Sequence, residues 1–266
     1  MVFPEPDSPT IARLSPRLSS SEIFSRITSC PALVFTRLLA SVTRKTAAVD
    51  SLIMRFLLVL SLWWASAAGA IAAPAVLVMG DSLSAAFNMP IDQGWVSLLE
   101  RKLAGSHDAE WIVVNASISG ETTAGGLTRL PAALATHRPR LVLIELGAND
   151  GLRGLQVSAM RANLVRMIEL SKAAGADVAL ISVELPGNYG QAFRSRFQAV
   201  FAGLAKEFGL PLLPSLLSPI VLDSKNFQDD QLHPTSEAQP LILEHVWPWL
   251  KPQLRQVASP MLKKAG

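Results

Sequence analysis

Three features of the sequence predict an α/β domain built on a doubly wound parallel sheet. Short apolar runs recur about 30 residues apart, the gaps between them carry helical periodicity, and most runs are apolar at every position rather than at alternate ones. Full apolarity marks strands covered on both faces, and a gap long enough for a helix makes the strands it joins parallel. The predicted strands are residues 76–79, 111–115, 141–145, 178–183 and, more weakly, 210–213. Helices are predicted over 93–105, 123–136, 157–174, 193–208 and 235–254. In the third of these, Val157, Met160, Leu164, Val165, Met167, Ile168 and Leu170 form a broad stripe that reads as core rather than as a cofactor face. The elements place one domain at 74–256, with 257–266 as a tail.

Composition narrows the class. Half of the 266 residues are apolar and 17% are charged, with 16 Gly, 18 Pro and one Cys, which excludes a collagen, a disulfide scaffold and a wholly disordered chain. The net charge of +3 lies entirely before residue 74, where seven Lys and Arg face four acidic residues; beyond it 17 basic residues balance 17 acidic ones. A body of that balance, without a basic stripe interleaved with aromatics, excludes nucleic acid as a partner.

Met54-Arg55 followed by FLLVLSLWWASAAGAIAA reads as a secretory signal peptide at 54–73, with a basic residue, an apolar stretch and small residues at Ala70 and Ala72. The competing reading is a transmembrane anchor, because residues 56–79 carry no charge. Weak hydropathy over 65–73, Pro74, and the need for 76–79 as a strand argue against it, so no stable membrane insertion is expected after cleavage. Residues 1–53 are Ser-, Pro- and Arg-rich without a sustained period, and are expected to be a disordered or misassigned extension preceding a true start at Met54. Cys30 falls there, so the mature chain has no cysteine and thiol chemistry is excluded. The chain is therefore expected in the periplasm or secreted.

In open parallel sheets the loops at the carboxyl ends of strands carry the ligand chemistry. After the first strand, Gly80-Asp81-Ser82-Leu83 can present the Ser82 hydroxyl at a strand-to-helix turn, although a serine there also serves as a helix N-cap. After the second, Gly120 leaves its backbone N–H open to an oxyanion, or simply serves a turn. After the third, Asn149 offers an amide donor within Gly147-Ala148-Asn149-Asp150-Gly151, which is also a plain turn sequence. Near the carboxyl end, Asp230 stands three residues before His233, and this spacing favours Asp230 over Asp229 as the anion behind the imidazole. His107, His137 and His245 have no such partner, and the four histidines are not paired at metal-ligand spacing. No metal or cofactor is implied.

Together these fragments resemble the SGNH or GDSL-type hydrolases, through Gly80-Asp81-Ser82-Leu83, Gly120, Gly147-Ala148-Asn149-Asp150 and Asp230-Gln231-Leu232-His233. The stretches GDSLSAAFNM, VVNASISGETT, RLPAALATHRPRLVLIELGANDGLRG, LPGNYG and LAKEFGLPLLP are similar to the branch of bacterial acyl-CoA thioesterase I, lysophospholipase L1 and arylesterases, over about residues 75–252. The resemblance implies a flavodoxin-like three-layer sandwich with a five-stranded parallel sheet. It also implies Ser82 as nucleophile, His233 as general base and acid, and Asp230 as its orienter. Ser82, Gly120 and Asn149 are then the oxyanion donors. Leu185, Pro186 and Tyr189, after the fourth strand, are implied to receive the acyl group of a small ester or thioester substrate. Gln231 departs from the family pattern, which often has glycine at that place.

Two other classes compete. A flavodoxin-like phosphate-binding module lacks its Ser/Thr/Gly-rich cradle here, and Asp81 would repel the phosphate. A receiver domain needs clustered carboxylates, and only Asp81 and Asp150 are available. Within the enzymes, a carbohydrate or small-ester deacetylase on the same scaffold is the runner-up. The leader reading has a direct check: mass spectrometry of the native protein should find its first residue near Ala73 or Pro74, and an intact peptide from residues 1–50 would overturn it.

Overall fold

The computed structural model describes residues 73–105 and 111–258. The expected extension at 1–53, the leader up to residue 72, Cys30, His107 and the tail from 259 lie outside the described residues. Five strands form one parallel sheet: β1 (Ala75–Gly80), β2 (Ile112–Asn115), β3 (Leu141–Glu145), β4 (Asp177–Ile181) and β5 (Leu212–Leu213), in the order β2-β1-β3-β4-β5. This is the flavodoxin-like order, in which the chain leaves β1 in one direction and returns on its other side. The crevice of such a sheet opens beyond the ends of β1 and β3, where Gly80 pairs with Glu145.

The apolar strands serve two cores because successive side chains point to opposite faces. Val76 and Val78 of β1, with Leu141, Leu143, Ala179 and Ile181, pack against α1 (Trp95–Ala104) and α6 (Gln239–Ala258). Leu77 and Met79, with Val142, Ile144, Val178 and Leu180, pack against α2 (Thr123–His137), α4 (Val157–Ala173) and α5 (Gln191–Phe208). The predicted stripe of α4 faces this second core: Met160, Leu164, Met167 and Ile168 are buried, and Val157, Val165 and Leu170 pack at its margin. All six residues of β1 are buried. At about 1.5–3 kcal/mol for each large apolar side chain removed from water, this strand is a poor place for any change.

The structure departs from the sequence reading in places with identifiable causes. β2 is not covered on both faces: Ile112 and Asn115 are exposed and the two valines between them half-buried, because β2 is an edge strand. β5 shrinks to two residues because Pro211 has no N–H for the ladder, although its carbonyl still accepts from Leu180 N at 2.9 Å. α6 starts at Gln239 rather than 235. The preceding residues form turns, and Pro240 suits the first turn of a helix, where an N–H has no partner to lose. One short helix, α3 (Ala148–Leu152), is not among the helices the sequence predicts; five residues carry no periodic signal. No helix among the described residues is long and apolar enough to cross a membrane.

Candidate active site

At the end of β1 the strands converge so closely that only glycine fits. A Cβ on Gly80 would lie 2.7 Å from Glu145 Oε2 and 2.8 Å from Ser117 Oγ. Beyond it the chain does not enter a regular helix as expected. Residues 82–88 form a succession of turns, with Ala86 and Asn88 both at φ 55°. Asp81 is fully buried; its Oδ1 accepts from Leu83 N at 3.0 Å, and the half-buried Ser82 faces the crevice.

The carboxyl-terminal turn meets this one from 151 residues away. His233 Nε2 lies 2.8 Å from Ser82 Oγ, and His233 Nδ1 lies 2.6 Å from Asp230 Oδ2. Asp230 Oδ1 also accepts from the backbone N–H groups of Leu232 at 2.9 Å and His233 at 3.0 Å. Burial works to raise the Asp230 pKa, but the His233 N–H, the imidazole and the Leu232 N–H outweigh it and hold the carboxyl below its ordinary value. An ionised Asp230 only accepts, so Nδ1 carries the ring proton and Nε2 is left to accept from the Ser82 hydroxyl. The Phe87 ring lies against the imidazole, centroids 4.2 Å apart. Gln231 adopts φ 57°, the left-handed conformation that glycine would favour.

The expected oxyanion donors come from two turns and the short helix α3. Among the described hydrogen bonds, none uses the N–H of Ser82 or of Gly120 as a donor. Gly120 sits at φ 78°, and its carbonyl accepts from Arg153 Nη2 at 2.7 Å. Arg129 braces the same loop by donating to Ala116 O at 3.0 Å and to Glu121 Oε2 at 2.7 Å. Asn149, on α3, donates from Nδ2 to Asp81 Oδ2 at 3.2 Å. Once ionised, Asp81 offers no proton, so its carboxylate selects the amide orientation in which nitrogen, not oxygen, faces the site. The next residue, Asp150, anchors α3 to the start of α2 by accepting from Thr123 N at 2.8 Å and Thr123 Oγ1 at 2.6 Å.

Beside Ser82 lies a cavity of about 290 Å³ whose wall includes Asn149, His233, Leu83, Leu152, Val183, Leu185, Pro186, Leu217, Val221, Phe227 and Leu232, with Asp81, Glu184 and Arg194 among its ionisable members. Leu185 and Pro186 thus stand where the sequence expects the acyl group. Gly120 and Tyr189 are not part of this wall. Tyr189 ends a single 3₁₀ turn, Gly187–Tyr189, that aims it elsewhere: its ring stacks on Phe193 and its hydroxyl donates to Leu152 O at 2.8 Å. It therefore reaches the cavity only through Leu152. The sequence reading passed over Asp81 as an orienter and Glu145 altogether. The latter had a signal: an acid closing a strand that is otherwise wholly apolar.

Comparison with known proteins matches residues 78–240 to the GDSL-like Lipase/Acylhydrolase family. The chain is 46% identical to Esterase TesA of Pseudomonas aeruginosa over 183 residues, covering 69% of this chain and 90% of that protein. It is 43% identical to the Thioesterase 1/protease 1/lysophospholipase L1 of Escherichia coli K12 over 190 residues, covering 71% and 88%. Among solved structures it is similar to the psychrotrophic esterase EstA from Pseudoalteromonas sp., with a TM-score of 0.65, 40% identity, and coverage of 68% of this chain and 98% of that one.

Two buried carboxylates lie beneath the site. Burial pushes the Asp81 pKa up to about 6, against the opposing pull of the Leu83 N–H, His233 and the Asn149 amide. Burial and the neighbouring Asp81 hold Glu145 well above its ordinary value, although its Oε2 accepts from Ser84 Oγ at 2.7 Å and Asp81 N at 3.3 Å. Its Oε1 has no protein partner. Because the raised pKa values belong to the folded state, these acids keep their protons there after the unfolded chain has lost them. Their stabilising contribution is complete below the ordinary carboxylate range and declines as pH rises from about 4 towards the raised values, by up to about 1.4 kcal/mol per pH unit for each group. Glu145→Gln removes one of them. The Tm of that variant, measured against wild type, should rise as pH increases above the ordinary carboxylate range; a difference independent of pH there would mean that Glu145 titrates as an ordinary carboxylate.

Proposed function

The chain belongs to the GDSL-like lipase/acylhydrolase family of ester and thioester hydrolases, and on that premise we propose that it acts through an acyl-enzyme on Ser82. The observation that carries the proposal is the continuous chain of hydrogen bonds from Asp230 through His233 to Ser82, at 2.6 and 2.8 Å. As Ser82 Oγ attacks the acyl carbonyl carbon, His233 Nε2 takes the hydroxyl proton. The imidazolium that forms is stabilised by Asp230 across Nδ1–H. Negative charge on the carbonyl oxygen is met by the N–H groups of Ser82 and Gly120 and by the Asn149 amide, which Asp81 keeps turned nitrogen-first. Collapse of the tetrahedral intermediate expels the alcohol or thiol, which leaves with the proton from His233. Water then enters along the same path and attacks the acyl carbon while Nε2 takes its proton; the bond to Ser82 Oγ breaks, Oγ takes the proton back from His233, and the acid leaves.

The apolar cavity beside Ser82 supports a medium acyl chain rather than an acetyl group, lying along Leu185 and Pro186. That favours aryl and alkyl esters, acyl thioesters and lysophospholipids as the substrate classes over carbohydrate acetates. If the segment at 54–73 is a working leader, the enzyme acts in the periplasm or outside the cell, where acyl-CoA is not expected and esters are the better candidates. The relative from Pseudoalteromonas is described as inhibited by monoethylphosphonate, a tetrahedral phosphorus group of the kind a nucleophilic hydroxyl takes up. This supports the same chemistry here.

Release of p-nitrophenol from esters of increasing acyl length tests the whole reading. Ser82→Ala should lower kcat by at least about 10³-fold, and Asn149→Ala by about 10²–10³-fold. Full activity in either variant would remove that residue from the mechanism. Asp81→Asn, which can present either end of its amide to Asn149, should lower kcat with little change in KM. Along the series, kcat/KM should rise by up to about fourfold per methylene until the cavity is filled; a preference for acetyl over octanoyl would instead favour the deacetylase.

A further inference from the structure

We propose that Gln228 is a positioning residue that docks the turn bearing His233 onto the turn bearing Ser82. The proposal rests on the reading of those two residues as base and nucleophile. Neither turn belongs to a helix or a strand. Residues 82–88 are held by local turn bonds, and the segment around His233 is pinned by one antiparallel bridge between Phe227 and Pro234. Among the described residues, three side-chain hydrogen bonds cross between the segments 81–89 and 226–235. One is His233 to Ser82, the contact that has to be placed. The other two both belong to the Gln228 amide, whose Oε1 accepts from Asn88 Nδ2 at 3.1 Å and whose Nε2 donates to Phe87 O at 3.0 Å.

The same residue also grips the histidine turn. Gln228 Nε2 donates to Pro234 O at 2.9 Å, one position past the imidazole. Its backbone N–H donates to His233 O at 2.8 Å, and its carbonyl accepts from Gln231 N at 2.9 Å. Three of the four hydrogen-bonding capacities of the primary amide are used with matching polarity: two N–H bonds to two carbonyls, and the oxygen to an asparagine N–H. A role confined to bracing its own loop would explain the bonds to His233 and Pro234, but not those to Phe87 and Asn88. Phe87 completes the clasp, because the residue whose carbonyl Gln228 holds also lays its ring against His233. The 2.8 Å between Nε2 and Oγ is therefore set by how two irregular turns dock, and the amide of Gln228 is the polar group that docks them.

The test uses the full chain and a p-nitrophenyl ester, with correctly formed sites counted by burst titration with a p-nitrophenyl alkylphosphonate. Gln228→Ala should lower kcat per titrated site by about 10²-fold, the scale expected for a displacement near 1 Å, with KM within a few-fold of wild type. Gln228→Glu, which sets carboxylate oxygens against two carbonyls, should not rescue it. Asn88→Ala, at an exposed position, loses one of the two bonds and should lower kcat in the same direction by less. Loss of folded enzyme would reduce the number of titrated sites rather than the rate per site. Adding Gln228→Ala to His233→Ala should cost nothing further, because no imidazole remains to be placed. Wild-type kcat per site in Gln228→Ala, or an equal loss in the His233→Ala background, would overturn the proposal. If Gln228→Ala yields no titratable sites, wild-type kcat in Asn88→Ala overturns it. Turnover that survives Ser82→Ala would instead overturn the reading of Ser82 as nucleophile, so the two failures are distinguishable.

Discussion

The site hangs from the carboxyl end of β1. That strand is buried along its whole length and paired on both sides, so its last residue has no freedom to move with respect to β3. Gly80 brings the backbone within reach of Glu145, and the chain must then deliver Asp81 inward and Ser82 outward in consecutive positions. The buried half of that pair holds Asn149 and the solvent-facing half meets His233. A single turn thus connects the hydroxyl to the amide that faces the same crevice. The rigid partner in this arrangement is the sheet, and the adjustable partners are the loops.

Charge is distributed with the same economy of structure. The exposed carboxylate, Asp230, is held ionised by three hydrogen bonds and serves the imidazole. The two buried carboxylates, Asp81 and Glu145, resist ionisation and organise the turn beneath it. Buried acids of this kind destabilise a fold unless neighbouring donors satisfy them, and here the donors are the elements of the site itself.

Much of this was legible in the amino-acid sequence because it rests on local pattern. The central strands announce themselves by continuous apolarity, which burial on both faces demands, and α4 by the stripe it turns to the core. Ser82, Asn149, Asp230 and His233 stand at the ends of such elements, where residue type and spacing suggest their chemistry. Edges and short elements were less legible. β2 has the composition of a buried strand but lies at the margin of the sheet, and α3 is shorter than the period that would reveal it. Tyr189 sits in the expected segment, yet one 3₁₀ turn directs its ring away from the cavity.

The sequence by itself determined the class of the fold, the parallel pairing, and a short list of candidate polar residues at the strand ends, to which the family resemblance attached roles, because apolar periodicity and residue type are properties of short stretches of chain. Only the tertiary structure decided that Asp81 faces inward to orient Asn149, that Glu145 lies buried beneath Ser84, and that Gln228 joins two turns 140 residues apart. These are polar contacts between irregular segments. They have no period to detect, and they exist only after the sheet has brought distant loops to the same rim.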